Sequence, residues 1–200
     1  MSIEDSEEYK AAQREKAAAE AKRRAEEEER LRLTAWQRES AIYILPQVGY
    51  DLMNSTLSYG AMVGWSKRLG GYVKYMSNFK SAESTSLECN NDGVLSGDGS
   101  DLIEPNYKEP TISLYTATVG AIYRIKPWLS VYGGGGVGSR VVVYELLSGG
   151  YVKNRDLSVD MTYSLDVGVI MRFGSFSLSI GLNSIGMKYS QLNLGVGVNF

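Results

Sequence analysis

The chain has 200 residues, a net charge of −2, 22 glycines, 14 tyrosines, one cysteine (Cys89) and no histidine. No stretch approaches the roughly 18 consecutive apolar residues of a membrane-spanning helix. The near-neutral charge argues against a nucleic-acid partner, and a lone cysteine excludes an intrachain disulfide framework. Without histidine the usual general base near neutral pH is missing, and with one cysteine so is the His/Cys cluster of a catalytic zinc. No catalytic, cofactor-binding or metal-ligating residues are therefore expected, and the chain does not read as an enzyme.

Residues 1–39 hold 9 Lys/Arg and 11 Asp/Glu, much alanine, and no glycine or proline. Ala, Glu, Lys and Arg are strong helix formers. Glu20/Arg24, Glu26/Arg30 and Glu28/Arg32 are favourably oriented i,i+4 pairs. A single helix of about 33 residues would span roughly 50 Å. Its best apolar seam, Ala11, Ala18 and Ala25, is thin for a coiled coil. A solvated strut or linker is the first expectation, and a weak coiled coil or docking helix the second. Met1–Lys10 is acidic without an apolar core and does not read as a signal peptide.

From Ala41 the period becomes two, the mark of strands with unlike faces. Ile42, Ile44, Val48, Tyr50 and Leu52 alternate with Tyr43, Gln47, Gly49 and Asp51. Leu57, Tyr59, Ala61, Val63 and Trp65 form the second apolar face. A third run from about Gly71 to Lys80 sets Val73, Tyr75 and Phe79 against Lys74, Met76 and Asn78. In the fourth, Tyr115 to Tyr123 face away from Thr116, Thr118, Gly120 and Arg124. The fifth, Leu129 to about Tyr144, contains Gly133–Gly136. The sixth sets Met161 to Phe173 against Thr162, Ser164, Asp166, Gly168 and Arg172. The seventh sets Leu178, Ile180 and Leu182 against Ser177, Ser179, Gly181 and Asn183, and the eighth occupies Gln191–Phe200.

Tight turns are expected at Gly70–Gly71, Lys126–Trp128 and Gly174–Ser175. The other connections lie at Asn54–Thr56, Thr85–Pro110, near Leu146–Ser158 and near Gly186. Short turns at one end with longer loops at the other are the pattern of outer-membrane barrels. It predicts an all-β, eight-stranded antiparallel transmembrane β-barrel over 41–200 with an N-terminal α-helical extension, both chain ends on the periplasmic side.

Alternation by itself does not say which face is wet. Asp51, Lys74, Arg124, Arg140, Asp166 and Arg172 all fall on the polar face. Inside a barrel they can pair, whereas on a lipid face each would cost about 2–4 kcal/mol at midplane. Tyr163 and Phe173 are spaced to mark the edges of an apolar band about 25 Å tall. Trp65, Trp128, Phe173, Phe176 and Phe200 are expected at the periplasmic rim. The expected interior is thus a structural charge network of Lys74, Arg124, Arg140, Asp166 and Arg172. Eight strands leave a lumen about filled by side chains, not an open pore.

The final segment, Asn193-Leu194-Gly195-Val196-Gly197-Val198-Asn199-Phe200, carries polar, glycine, apolar and terminal aromatic residues at Asn193, Gly195, Val198 and Phe200. With the glycine-rich run Val131–Arg140, it makes Ala41–Phe200 resemble the small eight-stranded outer-membrane barrels of the OmpA/OmpX type. The resemblance implies a bacterial outer-membrane location and recognition of the last strand by the barrel assembly machinery. Such proteins normally carry a signal peptide, and OmpA-like members place a peptidoglycan-binding domain after the barrel. Here a charged helix precedes the barrel, an arrangement similar to the tail of a longer envelope protein.

Two further motifs have bland readings. Gly133, Gly135 and Gly138 spell G-x-G-x-x-G, but a strand rather than a helix follows, so no dinucleotide site is expected. Asn90–Asp101 is acidic and glycine-rich without EF-hand ligand spacing, and reads as a surface loop in which Cys89 is incidental. The leading functional expectation is a membrane anchor or structural envelope protein, in contact with outer-membrane lipid, with a periplasmic helix and surface loops. The alternatives are a binding or adhesion module acting through Thr85–Pro110 on an extracellular or periplasmic protein, and a soluble lipocalin-like carrier with its apolar face inward.

Overall fold

The structure, a computed structural model, describes residues 3–35, 39–53, 55–82, 86–91, 110–146 and 150–200, without the side chains of 3–12 and 32–35. The chain divides into two units, Met1–Glu39 and Ser40–Phe200. The first is a single helix, α1 (Ile3–Ala35). Every described side chain along it is exposed. Its stability therefore rests on helix propensity and i,i+4 pairs rather than on a buried stripe. Among the described residues no helix is long and apolar enough to cross a membrane.

Among the described residues the second unit contains ten strands. They are β1 (Ala41–Asp51), β2 (Leu57–Ser66), β3 (Leu69–Ser77), β4 (Glu88–Cys89), β5 (Thr111–Lys126), β6 (Leu129–Glu145), β7 (Tyr151–Asn154), β8 (Val159–Phe173), β9 (Phe176–Ile185) and β10 (Tyr189–Asn199). Eight of them, all but β4 and β7, pair antiparallel with their chain neighbours. The β1–β10 ladder completes a closed barrel without an edge. At that seam Phe200 N–H donates to the Ile42 carbonyl (3.1 Å) and Ile42 N–H to the Phe200 carbonyl (3.0 Å). Closure pairs the first barrel strand with the last and leaves no open edge, which a strand structure in hydrocarbon requires.

Three boundaries differ from the sequence expectation. The β2–β3 turn is Lys67–Arg68, and Gly70–Gly71 lie within the ladder opposite Ser66 and Trp65. Gly70 serves close approach, since a Cβ there would lie 1.8 Å from the Trp65 carbonyl oxygen. The third run stops at Ser77 rather than continuing to Lys80, because Phe79 takes φ 54° and ends the extended backbone. Asn78 then turns inward and caps the neighbouring strand. Its Nδ2 donates to the Ile112 carbonyl (2.6 Å), and its Oδ1 accepts from Leu114 N–H (3.0 Å). Near Gly186 the connection is a tight turn that uses positive φ at Gly186 (58°) and Met187 (55°).

The short strands β4 and β7 were not expected. They pair parallel to each other, and β7 extends the β6 ladder. Lys153 on β7 lies 3.8 Å from Glu88 and 2.8 Å from Asp160, which fastens this extension. Cys89 is buried there, and burial followed by the Asp156 charge pushes its thiol pKa up. Most of Thr85–Pro110, including nearly all of Asn90–Asp101, lies outside the described residues.

Candidate functional site: the packed lumen

The alternation of each strand resolves into inside and outside. Leu165 and Val167 are 43 % and 60 % exposed on the outer wall, while Ser164 and Asp166, which alternate with them, are buried. This overturns the soluble-carrier alternative, which needed the apolar face inward around a ligand. Trp65, Trp128, Phe173, Phe176 and Phe200 are all exposed around the short-turn end, with Tyr163 exposed farther up β8. An apolar exterior between aromatic belts is the surface a bilayer solvates.

Inside, the lumen is layered. Nearest the short turns, Ala41, Tyr43, Leu45, Met62, Tyr72, Ile122, Tyr132 and Ile170 form one buried cluster. Sequence reading passed over Leu45 and Ile122, because apolar residues on both faces blur the alternation at this end. Above them, Lys74 Nζ lies 2.7 Å from Asp166 Oδ1, and the Tyr72 hydroxyl donates to Asp166 Oδ2 (3.1 Å). Both charged side chains are fully buried. The Tyr132 ring meets Tyr72 edge-on at 5.2 Å and lies 5.8 Å below the Lys74 ammonium. A Cβ added at Gly181 would come within 2.0 Å of the Tyr132 hydroxyl, so this glycine makes room for a ring lying across the barrel.

Buried amides and hydroxyls surround this pair. Gln47 Nε2 donates to Ser179 Oγ (3.1 Å), Ser164 Oγ to Asn183 Oδ1 (3.1 Å), and Gln191 Nε2 to Ser58 Oγ. At the long-loop end, Arg140 Nε reaches Asp51 Oδ2 at 3.4 Å, and its NH1 donates to the Leu157 carbonyl. Its guanidinium stacks 4.2 Å from the Tyr189 ring centre, and the Tyr189 hydroxyl donates to the same carbonyl (2.9 Å). Asp51 also accepts from Met53 N–H (3.0 Å).

The five expected network residues are therefore not one cluster. The fold brings Lys74 and Asp166 together, and Arg140 meets Asp51 at a separate level. Arg124 is buried at the opposite end beside Tyr43, and Arg172 is half-buried at that same end. Sequence parity flagged these charges, but Tyr72, Tyr132 and Tyr189 were missed as their partners. Their signal was available, since all three sit at inward parity in otherwise polar runs.

Of the expected assembly-signal positions, Asn193 and Gly195 face inward, whereas Val198 and Phe200 face outward. Gly133, Gly135 and Gly138 lie in mid-strand on β6, laddered on both sides, so the dinucleotide motif is one of spelling alone. Among the described residues no group of His, Cys, Asp or Glu could hold a metal ion.

No protein-family model matches the chain, and no curated protein does. Solved structures do. Ail, the attachment invasion locus protein of Yersinia pestis, solved in complex with the heparin analogue sucrose octasulfate, aligns with TM-score 0.52 at 14 % identity. That alignment covers 80 % of this chain and 96 % of Ail. The N-terminal β-barrel domain of Pseudomonas aeruginosa OprF aligns with TM-score 0.46 at 14 % identity, covering 82 % and 98 %. The fold is that of the eight-stranded outer-membrane barrels.

Proposed function

We propose that the chain is an outer-membrane barrel whose role is to anchor, with a lumen sealed rather than conducting. The observation that carries this is the succession of buried side chains through the interior. The apolar cluster around Leu45 and Met62, the Lys74–Asp166 pair and the Arg140–Asp51 pair succeed one another along the axis, each buried. The likeness of fold to Ail and the apolar outer wall support a membrane seat. The short turns and both ends of the barrel chain share one rim, which fits a periplasmic side for that rim and for the charged helix. The alternation from Asn193 to Phe200, ending at the seam with β1, fits recognition by the barrel assembly machinery.

The test uses the full chain refolded in detergent. It is expected to migrate faster on gels before boiling than after, and to add no porin-sized conductance to a planar bilayer. A monomer that stays soluble without detergent would sink the membrane reading. A large steady conductance would sink the sealed-anchor reading alone.

A second reading places surface binding in the Thr85–Pro110 loop. It is favoured by the β4–β7 ladder with its Lys153 ion pairs, which give the loop a built base outside the barrel. Deleting residues 90–109 is then expected to leave the gel shift intact while cutting adhesion of expressing cells to a mammalian cell monolayer. Unchanged adhesion would retire this reading.

A further inference from the structure

The outer wall carries an apolar groove of about 870 Å³ near the short-turn rim, with Ile42, Val63, Trp65, Val73 and Val119 as walls and Gly71 in its floor. Trp65 stands opposite Gly71, and Gly71 opposite Ala121, so the surface drops from an indole to bare backbone and then to a methyl. The barrel does not require glycine at position 71. Its φ is not in the left-handed region. A Cβ there would meet nothing nearer than the Gly120 carbonyl oxygen at 3.4 Å, an ordinary contact. The inward Gly120 and Gly134 differ, because a Cβ at either would come within 2.3 Å or 2.2 Å of neighbouring backbone oxygen. Tight strand packing therefore accounts for the inner glycines but not for the groove.

Four residues before Gly71 in the chain, an arc of cations begins. Arg124 N–H donates to the Arg68 carbonyl and Arg172 N–H to the Trp128 carbonyl, both at 2.8 Å, so these three turn regions are neighbours on one rim. They carry Lys67, Arg68 and Lys126 exposed, with Arg124 buried and Arg172 half-buried on the lumen side, and no Asp or Glu occurs in residues 66–69, 124–129 or 170–177. Arg68 is laid back onto the outer wall. Its NH2 donates to the Tyr123 hydroxyl (3.1 Å), and its guanidinium carbon lies 5.8 Å from that ring centre. Tyr123 sits two residues below Ala121 on the same face of β5. That bond occupies one of five guanidinium donors. Lys126 is held 5.8 Å over the Trp128 ring.

We propose that groove and arc together seat one anionic glycerophospholipid. An acyl chain lies against Trp65, Gly71 and Val73, and the phosphate meets Arg68, with Lys67 and Lys126 alongside. The chemistry matches in two parts: the groove is apolar, and the cations lie at its rim end, where a headgroup would be. A zwitterionic lipid also carries phosphate, but its ammonium would face the exposed cations Lys67, Arg68 and Lys126 with Glu39, two residues before Ala41 opposite Ser66, as the acid beside them among the described residues, so the site prefers net negative headgroups. This inference rests on the membrane reading above.

The experiment is native mass spectrometry of the full detergent-folded chain titrated with dioleoyl phosphatidylglycerol or dioleoyl phosphatidylcholine, with the gel shift confirming the fold of each variant. Phosphatidylglycerol is expected to be retained at least about fivefold more strongly. Arg68→Gln should weaken that retention about fivefold, and Lys67→Gln with Arg68→Gln about 25-fold, as one surface cation contributes on the order of 1 kcal/mol. Gly71→Leu, whose side chain would occupy the groove, should weaken both lipids alike. A folded barrel that holds both lipids equally, or a double variant that behaves like the parent, overturns the lipid seat and leaves the anchor reading standing. A dimer that Gly71→Leu dissolves would assign the groove to a second copy and overturn it too. A chain soluble as a monomer without detergent overturns both readings.

Discussion

Replacing Asp166 with alanine is expected to lower the barrel's unfolding free energy by about 3–5 kcal/mol, because it strands the fully buried Lys74 ammonium without its partner. Lys74 and Asp166 are both fully buried and 2.7 Å apart, and the Tyr72 hydroxyl would lose its acceptor in the same step. At that distance the pair's attraction is strong only because the surroundings are poorly polarisable, and the same surroundings make either lone charge expensive. The double change Lys74→Met with Asp166→Leu should recover most of the loss, since a buried pair exchanged for apolar groups of similar volume is often neutral or stabilising. Urea titration of the detergent-folded chain, read as the fraction keeping the fast-migrating band, measures both. A single variant as stable as the parent would show that water reaches this level of the lumen, and the sealed-anchor reading would fall with it.

Val167→Arg is expected to be the most damaging change on the outer wall, costing about 2–4 kcal/mol in a phospholipid bilayer. Val167 is exposed in the middle of β8, between Tyr163 and Phe173, and its inward neighbour Asp166 already carries a charge at no comparable cost because Lys74 meets it. Adjacent residues on one strand would thus obey opposite rules. The matched control, Ser175→Arg in the β8–β9 turn, should cost little, because it lies at the rim. Folding efficiency into phospholipid vesicles compares the two. Equal tolerance at positions 167 and 175 would remove lipid from the outer wall.

Much of this was legible beforehand, for an identifiable reason. The helix reads from composition, since Ala, Glu, Lys and Arg without glycine or proline leave little else for residues 3–35 to form. The barrel strands read from alternation, because the pleat ties every second side chain to one face whatever the partner strand. Punctuation was less reliable. Gly70–Gly71 look like a turn, yet Lys67–Arg68 make it, and Gly70 instead serves where strands crowd. The β4–β7 pair gave no signal, being two and four residues long and separated in the chain by the whole of β5 and β6.

The lumen divides along the same line. Parity alone sends Lys74, Arg124, Arg140, Asp166 and Arg172 to one face of their strands, and composition alone makes the opposite face apolar. Which charge meets which was decided only by closure. Lys74 and Asp166 are 92 residues apart, and Arg140 and Asp51 are 89. Their heights match because the ladder registers summed around eight strands bring them level. The same sum leaves Arg124 and Arg172 at the other end. Periodicity is a property of one strand and is written locally. Partnership is a property of the closed ring, and no single strand contains it.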